Sequence, residues 1–274
     1  MAHTLCLTFD FDALSVWLGD NPAATPALLS RGEFGARVAV PRILQLLETY
    51  DLPATFFVPG HTVESFPGVV AAIAQAGHEL AHHGYGHEDP SSQTPAEERR
   101  SLERGIAALE RVLGAPPVGY RSPSWDYSVH TLPLLVEYRF AYDSSLFADD
   151  FHPYHPRLGD RAGVNEPLQK GEEVPLWEFP VALCLDDWPH FSFSFSPYRV
   201  GLSAPSKVLE IWTGEFDYMV AHAKEGVFTL TMHPQVIGRG HRMTLLERFI
   251  QHARAVAEVR FARLADVVRE LGAP

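Results

Sequence analysis

Residues 4–12 read Thr4-Leu5-Cys6-Leu7-Thr8-Phe9-Asp10-Phe11-Asp12, a short β-rich run, Thr4 to Phe9, that leads into two carboxylates. Apolar and β-branched residues over six positions predict a buried strand. Asp10 and Asp12 are two apart and project from one face of an extended chain. Carboxylates that close raise each other's pKa and oppose folding unless a cation or an arginine compensates them. A bound metal is the economical explanation, so the first strand already carries chemistry at its end.

Working outward, strands and helices alternate. Gly35 to Tyr50 has apolar residues at helical spacing, with Val38, Ile43, Leu46 and Leu47 as a stripe. Ala54 to Val58 predicts a second strand, Phe66 to Ala76 a helix stopped by Gly77, and His78 to His82 a third strand running into His83-Gly84-Tyr85-Gly86-His87. Thr94-Pro95-Ala96-Glu97 has the form of a capping box and opens a helix that Gly114 ends. Val118 to Arg121 is a fourth strand before Ser122-Pro123-Ser124-Trp125, followed by a helix near Val129 to Glu137 and a strand Arg139 to Tyr142. Asp149 to Glu173 lacks periodicity and is expected to be an excursion loop. Leu176 to Ala182 is strand-like and Phe191 to Phe195 alternates with period two. Ser206 to Lys224 is helical, Val227 to Met232 is the last buried strand, and helices near Thr244 to Glu258 and Phe261 to Leu271 follow. Six or seven such alternations predict an α/β protein with a parallel sheet, a closed or nearly closed β/α barrel formed by residues 1–274 as one domain.

Composition narrows the partners. Of the 274 residues 46% are hydrophobic and 20% charged, which excludes a disordered chain. The formal charge is −12 and no basic run could neutralise a phosphate backbone or dock on an anionic membrane, so nucleic acid and membrane are excluded as partners. Cys6 and Cys184 lie in apolar stretches and read as free thiols. The start of the chain has no basic leader and no stretch reaches the length of a spanning helix, so a cytoplasmic location is expected.

The barrel places chemistry at the C-terminal ends of its strands. Five predicted strands end in polar or ionisable residues: Asp10 with Asp12, His83, Arg121, Asp143 and His233. For any one of them, an ordinary solvent-facing loop residue is an equal reading; five together make a site. His83 and His87 are four apart across a glycine-containing turn, and with one aspartate they would form a two-histidine, one-carboxylate centre with open positions. His82, next to His83, faces the other way and reads as structural. Asp186-Asp187-Trp188-Pro189 with Phe191, Phe193 and Phe195 reads as a substrate wall or a subunit contact, the rings on one face of an extended segment; burial against the barrel's own helices is the plain alternative. From the subunit contact a homo-oligomer is expected.

The segments TFDFD, HHGYGH, YRSPSW, YDSSL and LTMHP, spanning Thr8 to Pro234, resemble in kind and order the motifs of the polysaccharide deacetylase (NodB homology) family, also grouped as carbohydrate esterase family 4-like. The resemblance implies a deformed (β/α)7 TIM-like barrel and metal-dependent hydrolysis of an N-acetyl amide. It makes Asp12, His83 and His87 the metal ligands, Asp10 the catalytic base, Arg121 its partner and His233 the catalytic acid. Asp143 would orient His233, and Trp125, Asp187 and Trp188 would contact substrate. The metal would be divalent, Zn²⁺ first, with Co²⁺, Mn²⁺ or Fe²⁺ as alternatives. The chain departs from the extracellular members in having Asp10-Phe11-Asp12 for adjacent aspartates, Ser122-Pro123-Ser124-Trp125 after the arginine, and no tryptophan after Asp143. The segments HGYGHE, RSPSW and LDDWP resemble a cytoplasmic branch that contains peptidoglycan-deacetylase-like proteins and allantoinases.

Three functions therefore compete. The first is deacetylation of an N-acetylated sugar or peptidoglycan fragment. The second is ring opening of a cyclic amide or imide such as allantoin by the same groups. The third is a catalytically silent carbohydrate-binding protein. Free acetate marks only the first, so the products discriminate.

Overall fold

The computed structural model describes residues 3–20, 25–195, 198–199 and 201–272. Its main sheet contains β1 (His3–Asp10), β2 (Thr55–Val58), β3 (Glu79–His82), β4 (Gly119–Tyr120), β5 (Tyr142–Asp143), β6 (Trp177–Glu178), β7 (Val227–Met232) and β8 (Val259–Phe261). The order is β6-β5-β4-β3-β2-β1-β7, with β8 also on β1, and the pairings are parallel. This is the deformed (β/α)7 barrel. Between β6 and β7 the chain after β6 makes a parallel bridge, Asp186 to Thr231, which carries Asp186 and Asp187 to the end of β7.

β1 is buried along its whole length, and its two faces have different partners. Leu5, Leu7, Phe9 and Phe11 pack outward into the main core with Ile43, Leu47, Trp212, Phe216 and Phe249 of the surrounding helices. Cys6 packs on the other face with Phe57, Ala81, Tyr142 and Phe179. Thr8, Asp10 and Asp12 continue that inward face, which is why polar groups stand at the top of an apolar barrel. Register then aligns the ends: Phe57 lies opposite Asp10, Val58 opposite His82, His82 opposite Tyr120, Tyr120 opposite Asp143, and Asp143 opposite Glu178.

The helix expected from Gly35 is longer. Thr25 caps a helix over Pro26–Phe34, and a π-helical turn over Gly35–Ala39 joins it to the helix Val40–Tyr50. Pro26–Phe34 buries only Gly32, so it shows no apolar stripe in the sequence. The strand expected over Arg139 to Tyr142 is Tyr142–Asp143, because Arg139 takes a left-handed φ of 59° that closes the preceding helix. The excursion after Asp149 is not structureless: it holds two short antiparallel pairs, Arg157–Leu158 with Glu172–Glu173 and Arg161–Gly163 with Glu166–Gln169. These strands are largely exposed and so carry no apolar alternation. Cys6 and Cys184 are free thiols.

The capping box is present as expected on the helix Pro95–Leu113: Thr94 Oγ1 accepts the Glu97 N–H, and Glu97 Oε2 accepts the Thr94 N–H at 2.9 Å. Thr94→Ala removes the side-chain half of this exchange and is expected to cost about 1 kcal/mol. A fall in urea midpoint at constant slope checks it; an unchanged midpoint means the cap contributes nothing.

Candidate active site

Asp10 ends β1 and Asp12 follows two residues on, both buried. Arg121, also buried, leaves the end of β4 and crosses to β1, where its Nη1 donates to Asp10 Oδ1 at 2.8 Å and to Thr8 Oγ1 at 2.9 Å. Its Nε and Nη2 donate to the Ser144 carbonyl and hydroxyl, both at 2.8 Å, and its guanidinium lies 4.1 Å from the centre of the Phe57 ring. An arginine gripped on every side cannot swing away, so it fixes Asp10 in place. Burial works to raise the Asp10 carboxyl, but the Arg121 charge, then His83 and His233, and the Arg121 hydrogen bond together hold the group below the usual range.

His83 and His87 leave the end of β3 on a loop that turns at Gly84 (φ 68°) and at His87 itself (φ 61°), bringing their rings to 5.0 Å between centres. His83 Nδ1 donates to the Arg121 carbonyl at 2.8 Å, which leaves Nε2 with a free lone pair. Nε2 of His83 is 3.4 Å and Nε2 of His87 3.9 Å from Asp12 Oδ1. Asp12 Oδ1 and His83 Nε2 are buried without a hydrogen-bond partner. Orphaned buried atoms are costly, and here a neutral imidazole nitrogen and a carboxylate oxygen face the same point. Burial keeps both histidines neutral, His87 pushed down to about 3, so neither has to release a proton to bind a cation. Burial also pushes Asp12 up to about 8, the behaviour of a carboxyl that lacks its counter-charge. One oxygen and two nitrogens in one small volume fit a divalent metal.

His233 follows β7 and is held differently from expectation. Its Nδ1 is 2.8 Å from Asp187 Oδ1, and Asp187 also accepts the His233 backbone N–H. Asp143, expected to orient His233, instead accepts from Tyr127 Oη and Ser145 Oγ. Asp187, expected to touch substrate, is fully buried behind the imidazole. The exchange of roles follows from topology, because the Asp186–Thr231 bridge delivers Asp187 to the end of β7 whereas Asp143 sits on the other arm of the sheet. His233 Nε2 stands 3.9 Å from both Asp10 Oδ2 and Asp12 Oδ2. Burial opposes its charge, but Asp186 and then Asp187 prevail and push it up to about 10.

A cleft of about 280 Å³ opens over these groups, lined by Asp10, His83, His87 and His233 with Trp125 and Trp188 as walls. Trp188 also meets the His233 ring edge-on at 5.0 Å. The aromatic segment beyond it differs from expectation. Phe191 ends the helix Asp187–Phe191 and is buried, with the Arg242 guanidinium 4.3 Å from its ring centre, so it is core. Phe193 is half-buried, and the side chain of Phe195 lies outside the described residues. His82 is structural, buried between the Leu102 carbonyl and the Gly84 N–H. Gln235 was not singled out by the sequence, yet its Nε2 donates to Asp12 Oδ2 at 3.1 Å. Its position directly after His233-Pro234 is the one local signal.

A family profile described as polysaccharide deacetylase matches residues 3–142. The chain is 35% identical over 270 residues to a peptidoglycan deacetylase from Helicobacter pylori, covering 94% of this chain and 92% of that one. A solved structure from Mycobacterium smegmatis assigned to the polysaccharide deacetylases superposes with a TM-score of 0.87 at 38% identity, over 98% of this chain and 90% of that one. The Puue allantoinase superposes with a TM-score of 0.77 at 26% identity, over 97% and 89%.

Proposed function

The chain belongs to the polysaccharide deacetylase family, and from that premise we propose that it removes acetyl from an N-acetylated amino sugar or peptidoglycan fragment, with Asp12, His83 and His87 holding a divalent ion. The observation that carries the reading is the single cleft in which Asp10, locked to Arg121, and His233, locked to Asp187, both stand within 3.9 Å of an atom of that ligand set.

When bound, the ion would polarise the acyl carbonyl and stabilise the charge that builds on its oxygen. Asp10, kept ionised by Arg121, accepts a proton from the attacking water at Oδ2, the oxygen left free by the Arg121 contact. His233 carries its other proton on Nε2, towards the cleft, and donates it to the departing nitrogen, because an amide anion is too basic to leave. Asp187 holds the imidazole by Nδ1 and stabilises its charged form. Water adds across the C–N bond, giving acetate and a free amine. Zn²⁺ is the metal proposed, since two imidazoles and a carboxylate suit it, with Co²⁺, Mn²⁺ and Fe²⁺ as competitors.

The Asp187→Asn variant keeps an acceptor for Nδ1–H but removes the negative charge. Less of the His233 ring is then protonated at a given pH above neutrality, so the alkaline limb of the kcat profile moves to lower pH and kcat falls about 10- to 100-fold. An unmoved limb would separate Asp187 from the acid.

The function is tested with purified protein and added Zn²⁺ against chitooligosaccharides and allantoin, following acetate and product mass. Acetate with a new amine supports deacetylation. Uptake of water without acetate favours ring opening, the second reading, which the likeness to an allantoinase supports. Neither product leaves the silent-binder reading. A cytoplasmic location is part of the proposal, supported by the free thiols Cys6 and Cys184, which suit a reducing compartment. So is a homo-oligomer, read from the aromatic segment that follows Asp186; a strict monomer by light scattering removes it.

A further inference from the structure

Ser124 and Trp125 take left-handed backbone conformations in succession, φ 59° and 53°, and both line the cleft. Neither residue is a glycine, so the shape has to be held: within the loop the Trp125 N–H donates to the Ser122 carbonyl at 3.1 Å and Ser122 Oγ to the Asp126 carbonyl at 2.5 Å, and the ends are tied to the barrel. Its two ends converge on one buried side chain. Tyr127 Oη donates to Asp143 Oδ2 at 2.5 Å. The Ser122 N–H donates to Ser145 Oγ at 2.8 Å, and that hydroxyl donates onward to Asp143 Oδ1 at 2.7 Å. We propose that Asp143 is a positioning residue for the substrate wall, clamping both ends of the Ser122–Tyr127 loop and so holding Trp125 in the cleft.

Glu178 supports the clamp from the neighbouring strand. It is the register partner of Asp143 and equally buried, and its Oε1 accepts the N–H groups of Ser145 and Leu146 at 2.8 and 2.9 Å. Burial and then the Asp143 charge push Glu178 well above the usual carboxyl range, and burial raises Asp143 as well; it is the geometry of the Tyr127 and Ser145 hydroxyls that makes Asp143 the acceptor. Trp125 packs edge-on against Phe147 at 5.6 Å between centres, and the Arg121 guanidinium lies 6.0 Å from its ring centre.

The inference rests on the cleft being the substrate site, and its test has one arm that needs no turnover. In the Zn²⁺-loaded protein, with chitotriose as substrate, Tyr127→Phe and Asp143→Asn should raise KM about three- to tenfold with kcat within about twofold. In a Trp125→Ala background both increases should vanish, because the group they position is gone. Acrylamide quenching of Trp125, taken as the difference between parent and Trp125→Phe, should increase in both variants. Unchanged Trp125 quenching overturns the clamp whether or not chitotriose is hydrolysed. A fall in kcat with unchanged KM and a displaced alkaline limb overturns it too, assigning Asp143 to the His233 acid. If Asp143→Asn does not fold, Tyr127→Phe decides by the same readings, since it removes one arm and leaves the buried acids in place.

Discussion

His83→Ala is expected to abolish hydrolysis and to weaken divalent-metal binding at least about 100-fold, the upper end of what losing a mere supporting contact costs. The reason lies in the donor count. Three side chains converge, and His83 supplies the nitrogen whose tautomer is set by its bond to the Arg121 carbonyl. Removing it leaves Asp12 and His87, an oxygen and a nitrogen whose contact is already 3.9 Å, too few for tight binding at neutral pH. Isothermal titration with Zn²⁺ reads the loss directly. Zinc binding as tight as in the parent would sink the ligand assignment, and circular dichroism of the metal-free variant separates lost binding from lost folding.

Asp10→Asn has the second largest effect and the opposite signature. The amide oxygen can still accept from Arg121 Nη1, so the side chain stays in place, but it cannot take a proton from water. A rate loss of about 10²–10⁴-fold with metal affinity kept is the expected result. The variant also leaves Arg121 buried without its counter-charge, so a lower unfolding midpoint accompanies the rate loss. Loss of zinc in Asp10→Asn would instead make Asp10 a ligand and reopen the role of Asp12.

The two variants together test the division of labour between carboxylates two residues apart. Alternation puts both on the inward face of the first strand, and nothing local distinguishes them. What separates them is their company: Asp10 meets a guanidinium that comes from β4, whereas Asp12 meets two neutral imidazoles from the loop after β3 and the Gln235 amide. Burial raises both carboxyls, and Asp10, with the Arg121 guanidinium against it, nevertheless falls below the usual range while Asp12 stays above it.

Period and punctuation are properties of neighbouring residues, and they suffice for β1, for the capped helix after Thr94 and for the last buried strand Val227–Met232. They also place Asp10, His83, Arg121 and His233 at strand ends, and a parallel barrel gathers strand ends at one rim. Partner choice is another matter, because it depends on which loop arrives beside which strand. Asp143 and Asp187 are both acids that follow or end a strand, and only the Asp186–Thr231 bridge gives His233 to Asp187 and leaves Asp143 to Tyr127 and Ser145. Likewise Phe191 alternates with serine as a strand residue would, but the turn capped by Asp186 winds it into a helix and buries it under Arg242. Chain-local patterns thus determine which groups reach the rim, while long-range packing decides which of them touch, since contact free energy is gained only between surfaces that the closed barrel brings together.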